Sequence, residues 1–217
     1  MRITVSKENY LKTIAEAESE GEDVKAVTLT RWLHVSAPAV TMAVKRLKRD
    51  SLIRVAKAGQ ITLTPAGRAI ANRVLHRHYL LERMLSEIFG LEWYKVHDEA
   101  EHLEHAISAD FERKLAERLG SGRPCPHGNI VGSDSPRARR RRGLKPLEEA
   151  TSQERVVVVS VFERDRKLLE YLENIGVRPG AVLRIAAAQS AIVLDMGGGR
   201  PVRMSRNAAS KVWVKSA

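Results

Sequence analysis

Cysteine, aromatic residues and long apolar runs are scarce in this sequence of 217 residues, which contains a single cysteine, Cys125, and only 5% aromatic residues. A single cysteine excludes a disulfide within the chain, as is typical of proteins in a reducing compartment. No uninterrupted apolar stretch approaches the roughly 20 residues that a membrane-spanning helix requires. The first residues, MRITVSKENYLKTI, lack a signal-peptide core followed by a cleavage site. We therefore expect a cytoplasmic protein with no membrane partner.

Acidic residues are also outnumbered, because 26 Asp and Glu stand against 37 Lys and Arg and give a formal net charge of +11. A positive excess of this size indicates a polyanionic partner, most simply double-stranded DNA. Hydrophobic residues make up 43% of the chain, which is enough for ordinary cores. The length suits two domains, or one domain and a linker.

The first part of the chain predicts three short helices followed by a pair of strands. Residues 6–18 and 28–33 have helical apolar spacing, and a third helix runs over residues 38–50 with a proline in its first turn. The segment LIRVAKAGQITLTPAGR then predicts two short strands joined around Ala58–Gly59. Two helices around a tight turn, a basic outer face and a hairpin together indicate a winged helix-turn-helix.

The third of these helices is expected to lie in the major groove of DNA. Small apolar side chains at its start suit contact with thymine methyl groups, whereas its basic side chains reach phosphate. A helical unit that contacts protein instead of DNA is the alternative, which the basic face disfavours. The residues predicted to contact DNA are Thr28, Ser36, Pro38, Ala39, Thr41, Met42, Lys45, Arg46, Arg49, Lys57 and Gln60.

Histidine and glutamate recur at helical spacing in the middle of the chain. The segment WYKVHDEAEHLEH, residues 93–105, places four of them on one side of a helix, and a further pair one turn apart lies upstream. Imidazoles and carboxylates that face the same way can share a divalent cation. An exposed helix face with i,i+4 pairs is the alternative. The six residues are His78, Glu82, His97, Glu101, Glu104 and His105.

Two long helices, residues 64–89 and 93–119, are predicted to carry these side chains. Their surplus of apolar residues favours a dimer interface. The Gly-, Pro- and Ser-rich stretch that follows ends in the basic run Arg137–Arg142 and is predicted to be a loop and linker. From Arg155 onward, glycine-punctuated strand patterns predict a small β-barrel, with a hairpin turn at Gly197–Gly199.

The order of these motifs resembles the diphtheria-toxin-repressor (DtxR/MntR) family of metal-dependent transcriptional repressors. The resemblance rests on SKENYLKTI, the winged helix, RHYLLERML, KVHDEAEHLEHAIS and CPHGN. It implies a homodimer that binds a palindromic operator when loaded with Mn(II) or Fe(II). The implied fold is mainly α with a β-rich C-terminal domain: a winged helix-turn-helix at 1–74, a helical metal-binding and dimerisation domain at 75–135, a basic linker at 136–153 and an SH3-like (FeoA-like) small β-barrel at 154–217.

The resemblance also implies two metal sites. His78, Glu82 and His97 match one site, to which the third domain would lend Glu163 or Asp165. The other would consist of Glu101, Glu104 and His105 with Asn9 of the first helix. Glu101 stands where iron-type members have cysteine and manganese-type members have glutamate, and a carboxylate there suits Mn(II), or Fe(II) if that is the ion available in the cell. Asn9 and Lys12 depart from the pattern and count against a binuclear, all-carboxylate arrangement. The Cys125–His127 pair is expected to be structural.

Three other functions are weighed against a manganese-dependent repressor. The first is an iron-dependent regulator of iron uptake, which would use the same residues. The second is a metal-independent DNA-binding protein, which would bind its operator equally well in chelator. The third is a metallohydrolase, which the sequence disfavours because it has no HEXXH motif and no obvious nucleophile or base beside an open metal position.

Overall fold

The computed structural model describes residues 3–132, 134–195 and 201–217. The turn predicted at Gly197–Gly199 lies outside these ranges. Within them, no helix combines the length and the apolar character that crossing a membrane would need. The described residues form helices α1–α9 and strands β1–β8, arranged around three separate hydrophobic cores.

The first unit consists of three helices and a two-stranded hairpin. Its elements are α1 (Val5–Ser19), α2 (Ala26–Leu33), α3 (Ala37–Arg49), β1 (Ile53–Val55) and β2 (Ile61–Leu63). The two strands pair antiparallel, and the turn between them contains a glycine with a positive φ angle of 82°. Apolar faces of all five elements close one core. The predicted winged helix-turn-helix is confirmed.

The helix starts in this unit differ slightly from the predictions. α1 begins at Val5, one residue before the predicted start, because Thr4 caps it by accepting a hydrogen bond from the Lys7 amide. α2 begins at Ala26, so Thr28 lies inside its first turn. The Thr28 hydroxyl oxygen accepts from the Lys25 amide and the side chain is buried. The Thr28 side chain therefore does not lie on the exposed surface on which its DNA contact was predicted.

The second unit is built on a long helix, α4 (Pro65–Arg83), which continues into a π-helical turn over Met84–Ile88. It packs on α5 (Val96–Leu103) and α6 (Ala109–Leu119). The prediction of one helix over 93–119 was wrong, because Ser108 accepts a hydrogen bond from the Phe111 amide and starts a new helix.

This break matters for the metal motif. Glu104 lies at the C-terminal cap of α5, and His105 lies beyond the end of that helix. Their spacing predicted that the four side chains from His97 to His105 share one face of one helix. In the structure they do not, because the helix ends before the last of them.

The segment predicted as a linker is folded. It forms α7 (Pro136–Arg141) and β3 (Lys145–Pro146). Arg139 is 1% exposed, and its guanidinium lies 5.0 Å from the Trp213 ring centroid. The same guanidinium donates hydrogen bonds to Glu20 at the end of α1 and to Asn129. An arginine inside a basic run thus joins the first unit to the third.

The third unit is an antiparallel sheet with one helix packed against its core. Besides β3, its strands are β4 (Arg155–Val161), β5 (Val182–Ala188), β6 (Ala191–Asp195), β7 (Val202–Ser205) and β8 (Val212–Ser216), with a short α9 (Arg206–Ala209) before the last. The strands follow the order β3-β8-β4-β5-β6-β7, and α8 (Arg166–Asn174) follows β4. Among the described residues β3 and β7 do not pair, so the sheet is not the closed barrel that was predicted.

Gly67 provides a test of how the first two units are joined. A Cβ atom on this residue of α4 would lie 2.0 Å from the Leu52 carbonyl oxygen, just before the wing. Alanine is ordinarily the better helix former by about 1 kcal/mol. Here we expect Gly67→Ala to lower the free energy of unfolding by about 1–3 kcal/mol, because the α4 backbone and the Leu52 carbonyl group must move apart to admit the methyl group.

Urea denaturation followed by circular dichroism measures this change. Ala69→Ser, on an exposed position of the same helix, serves as the control and should change stability by no more than about 0.5 kcal/mol. A stabilised Gly67→Ala protein would show that α4 and the wing are not in rigid contact.

Candidate metal centre

A buried pocket gathers four of the predicted ligands from three parts of the chain. His78 and Glu82 project from adjacent turns of α4, His97 comes from the first turn of α5, and Glu163 follows β4. One ligand atom from each lies within 4.8 Å of all the others, and all four residues are buried. His78 Nε2 is 3.0 Å from both Glu82 Oε1 and His97 Nδ1, and His97 Nδ1 is 4.0 Å from Glu163 Oε1.

Cys125 and His127 border the same pocket. Together with Glu82 and Glu163 they form a second buried group whose ligand atoms also lie within 4.8 Å of one another. His127 Nδ1 lies 3.4 Å from Glu82 Oε2 and 3.6 Å from Glu163 Oε2. His127 Nε2 is 2.9 Å from the Trp93 carbonyl oxygen, so it donates to that oxygen and leaves Nδ1 facing the carboxylates.

The sequence predicted a purely structural role for Cys125 and His127 and gave no sign that they lie beside the pocket. The CPHGN loop reaches the pocket because Gly128, with a φ angle of 85°, packs against β4. A Cβ atom there would lie 1.9 Å from the Val159 carbonyl oxygen. The Cys-x-His spacing gave no signal of a site, because both carboxylates that complete the group lie about 40 residues away in sequence.

The charges in the pocket suit a cation. Burial raises the pKa of Glu82, but the neighbouring His127 and His78 outweigh it and hold that pKa well below its usual range. Burial and Lys12 lower the pKa of His78, yet Glu82 and Glu104 outweigh them and raise it to about 9. Glu82 Oε2 is buried and makes no hydrogen bond among the described residues. A divalent ion bound by these carboxylates and imidazoles would displace the protons that the imidazoles hold.

The donor types fit such an ion. Imidazole and carboxylate are ligands for Mn(II), Fe(II) and Zn(II), while the Cys125 thiol adds a soft donor. Burial raises the pKa of that thiol well above its usual value, so it keeps its proton until a cation replaces it.

The second predicted site is arranged differently from the first. Glu101, Glu104, His105 and Asn9 do lie near one another, but the ammonium of Lys12 is inserted between the carboxylates. Lys12 Nζ is 2.7 Å from Glu104 Oε2 and 3.5 Å from Glu101 Oε1. Burial lowers the pKa of Lys12, but three surrounding carboxylates overcome this effect and raise the pKa above its usual value. Neither buried ligand group includes Glu101, Glu104 or His105.

His105 also contacts two side chains of α1. Its Nδ1 lies 2.9 Å from Glu8 Oε2 and its Nε2 lies 2.5 Å from Asn9 Oδ1. Its Nε2 is also 3.3 Å from Glu104 Oε1, and the Glu104 side chain is the largest contributor to a raised His105 pKa. Asn9 thus contacts His105 directly, as an oxygen acceptor on α1.

Glu163 belongs to a tripeptide that joins the pocket to the first unit. The Phe162 ring packs edge-on against Trp32 of α2, with centroids 5.9 Å apart. The Arg164 guanidinium donates to Glu16 at 2.8 Å and to the Trp32 carbonyl oxygen at 3.3 Å. Asp165, which the sequence offered as an alternative to Glu163, instead caps α8 through the Leu168 amide.

The surface predicted to contact DNA is solvent-exposed along α3 and at the wing. Ser36 caps α3 by accepting from the Ala39 amide, and Met42 is 50% exposed. With Thr28 buried, the remaining predicted residues are all exposed: Ser36, Pro38, Ala39, Thr41, Met42, Lys45, Arg46, Arg49, Lys57 and Gln60.

Three sequence families together match most of the chain. The N-terminal DNA-binding domain of iron dependent repressors matches residues 2–61, and the metal-binding and dimerisation domain of iron dependent repressors matches residues 64–131. The FeoA domain matches residues 145–216. All three matches agree with the units seen in the structure.

Individual relatives extend the match over nearly the full length. The chain is 32% identical to the diphtheria toxin repressor of Corynebacterium jeikeium, with 90% of each chain covered. It is also 32% identical to the iron-dependent repressor IdeR of Mycobacterium leprae, with 96% of each covered. A solved structure described as a manganese-dependent transcriptional repressor in complex with manganese is 29% identical and superposes with a TM-score of 0.84. That superposition covers 97% of this chain and all of the other.

Glu163 tests the pocket, because it belongs to both buried ligand groups. We expect Glu163→Gln, which keeps the size but removes the charge, to weaken Mn(II) binding by at least about 10-fold, comparable to the loss of a well-placed metal-site contact. Isothermal titration calorimetry with Mn(II) measures this affinity. Asp165→Asn removes a carboxylate two residues away that caps α8, and should leave the affinity unchanged. Equal affinities for both variants would remove Glu163 from the site.

Proposed function

Because the chain belongs to the diphtheria-toxin-repressor family of metal-dependent transcriptional regulators, we propose that it is a homodimeric repressor. In this proposal it acts in the cytoplasm and binds a palindromic operator in double-stranded DNA when a divalent ion occupies the buried pocket. The single observation that carries the proposal is that pocket, in which buried imidazoles and carboxylates from α4, α5, the CPHGN loop and the residue after β4 converge.

His78, Glu82, His97 and Glu163 would hold the ion, with Cys125 and His127 on its other side. A divalent ion bound there would supply two positive charges to offset the carboxylates. The chain's own part is to fix donor positions. The two α4 ligands are set one turn apart by the helix, and His127 is oriented by the Trp93 carbonyl.

The tripeptide Phe162–Arg164 supports a route from the pocket to the DNA-binding unit. Glu163 lies in the pocket, while its two neighbours contact Trp32 of α2, which packs beside α3. Metal binding would favour the arrangement in which these contacts form together, provided that arrangement binds the ion more tightly. A nearly complete switch needs about 5.5 kcal/mol of differential binding.

Dimerisation is supported by apolar side chains left on the surface of the second unit. Ile88, Phe89 and Phe111 are 50%, 69% and 43% exposed, at the end of the α4 helix and on α6. Burying such a patch against a second copy would place two α3 helices on one DNA duplex. A two-fold dimer fits half-sites whose centres are about 34 Å apart.

Mn(II) is the ion we propose first, because five of the pocket's six possible donor residues offer carboxylate oxygens or imidazole nitrogens. Fe(II) is the second candidate. It is favoured by the Cys125 thiol at the pocket, a softer donor, and by the iron-dependent relatives. An iron-responsive regulator of iron uptake would use the same pocket and the same DNA surface.

Operator binding by the purified protein tests the metal requirement. We expect a labelled duplex from upstream of a metal-transport gene to bind at micromolar Mn(II) and to be released by chelator. Fluorescence anisotropy measures both states, with anaerobic Fe(II) in a parallel titration. His78→Ala combined with Glu82→Ala should abolish the Mn(II) response. Equal binding in chelator and in Mn(II) would overturn the proposal and leave a metal-independent DNA-binding protein.

The recognition helix gives a separate prediction. We expect Arg46→Ala to weaken binding to all sequences and to lower the slope of log affinity against log salt by about 1, because it removes one phosphate contact. Thr41→Ala should instead change discrimination at one base pair by about 1–3 kcal/mol. Competition anisotropy over a salt series measures both effects, and Lys114→Ala on exposed α6 is the control. Identical salt slopes for Arg46→Ala and wild type would exclude the phosphate contact.

A further inference from the structure

Lys12 is a lysine almost wholly inside the protein. It projects from the middle of α1 and is 2% exposed. Its ammonium nitrogen lies 2.7 Å from Glu104 Oε2, 3.5 Å from Glu101 Oε1 and 3.7 Å from Glu16 Oε1. A lysine is rarely buried to this extent unless its charge is compensated, and here three carboxylates compensate it.

The same nitrogen also approaches the metal pocket from outside. It lies 3.1 Å from His78 Nδ1, and that ring nitrogen is 2.6 Å from the Glu104 oxygen that Lys12 contacts. His78 therefore stands between the pocket, which its Nε2 faces, and the lysine, which its Nδ1 faces. His78 thus has the pocket on one side and Lys12 and Glu104, which also contact each other, on the other.

Two carboxylates expected to ligate a second metal ion are thus already satisfied by a cation of the chain itself. Glu104 accepts from the ammonium through Oε2 and lies against His105 through Oε1. Glu101 accepts in addition from Arg164 at 2.9 Å. A divalent ion placed between Glu101 and Glu104 would come within a few ångströms of two fixed positive groups. The residues present do not fit a second ion.

We propose that the ammonium of Lys12 takes the place of a second metal ion, so that each subunit binds one divalent ion, in the pocket of His78, Glu82, His97 and Glu163. This inference rests on the proposed metal-dependent function and specifies its stoichiometry. Glu104 becomes a positioning residue rather than a ligand. It accepts from His78 Nδ1 and holds Nε2 toward the pocket, in the way that carboxylates orient metal-binding histidines.

The arrangement also separates two tasks. Lys12 and Arg164 hold α1 against α5 through Glu104, Glu101 and Glu16 by charges that are always present. Docking of α1 therefore does not wait for a metal ion. Only the pocket, which includes Glu163 of the third unit, is left to respond to the metal concentration.

The test is the number of Mn(II) ions bound per subunit at saturation. Equilibrium dialysis with elemental analysis counts the ions, and the Mn(II) electron paramagnetic resonance signal shows whether two ions lie close together. We expect one ion for wild type, with no spectral broadening by a neighbouring ion. We expect Lys12→Glu, which replaces the ammonium by a carboxylate beside Glu101 and Glu104, to bind two. Lys114→Glu on exposed α6 is the control and should bind one.

The outcomes distinguish this inference from the proposed function. Two ions bound to wild type, or one ion bound to a folded Lys12→Glu protein, would overturn the role of Lys12 and leave the metal-dependent function intact. No Mn(II), Fe(II) or Zn(II) bound to wild type would overturn the proposed function itself. Circular dichroism establishes that each variant is folded.

A charge-balanced variant covers the case in which Lys12→Glu does not fold. Lys12→Met combined with Glu104→Gln removes the ammonium and its closest carboxylate together, so that neither is left buried alone. We expect it to bind one Mn(II) with about 10- to 100-fold lower affinity, because His78 loses its orienting carboxylate. Complete loss of Mn(II) binding at saturating concentration would make Glu104 a ligand and overturn the inference.

Discussion

The constraint on which this structure depends is the neutralisation of carboxylates inside the protein. Glu82, Glu104 and Glu163 are buried where the three units meet. A carboxylate removed from water is costly unless a positive group or a hydrogen bond compensates it. Each of the three has a lysine or histidine side chain within a few ångströms, and that residue comes from a distant part of the sequence. The packing of the units and the charge balance of the interface are therefore one problem.

The carboxylates on the two sides of His78 are neutralised in different ways. On the side of α1, fixed cations from Lys12 and Arg164 face the carboxylates. On the side of the CPHGN loop, the carboxylates face imidazoles, whose protons a metal ion can displace. The first kind of charge is permanent and the second is exchangeable. A metal-responsive protein needs exchangeable charges where the ion binds. It needs permanent charges where the fold must be stable whether or not the ion is present.

Local pattern predicted what depends on local geometry. The winged helix and the i,i+4 pair of His78 and Glu82 follow from helical period and turn residues, and the structure has them in place. The break before Ser108 was missed because the apolar pattern continues through it, and a single capping hydroxyl decides it. Cys125 and His127 could not be located in the site, because the carboxylates beside them lie far away in sequence. The family resemblance placed Lys12 near the second site, but its contacts with Glu101 and Glu104 had no signal in the spacing. Glu163 came from the family resemblance rather than from any spacing.

The folded segment around Arg139 has a mechanical consequence. Arg139 fixes the third unit to the end of α1 through Glu20, and Arg164 fixes it a second time through Glu16 and Trp32. Glu163 is a third attachment, at the pocket. Contacts of the third unit with α5 and with the CPHGN loop add to these three. The third unit therefore stays docked when the contact of Glu163 alone is lost, unlike a domain that hangs from a flexible tether.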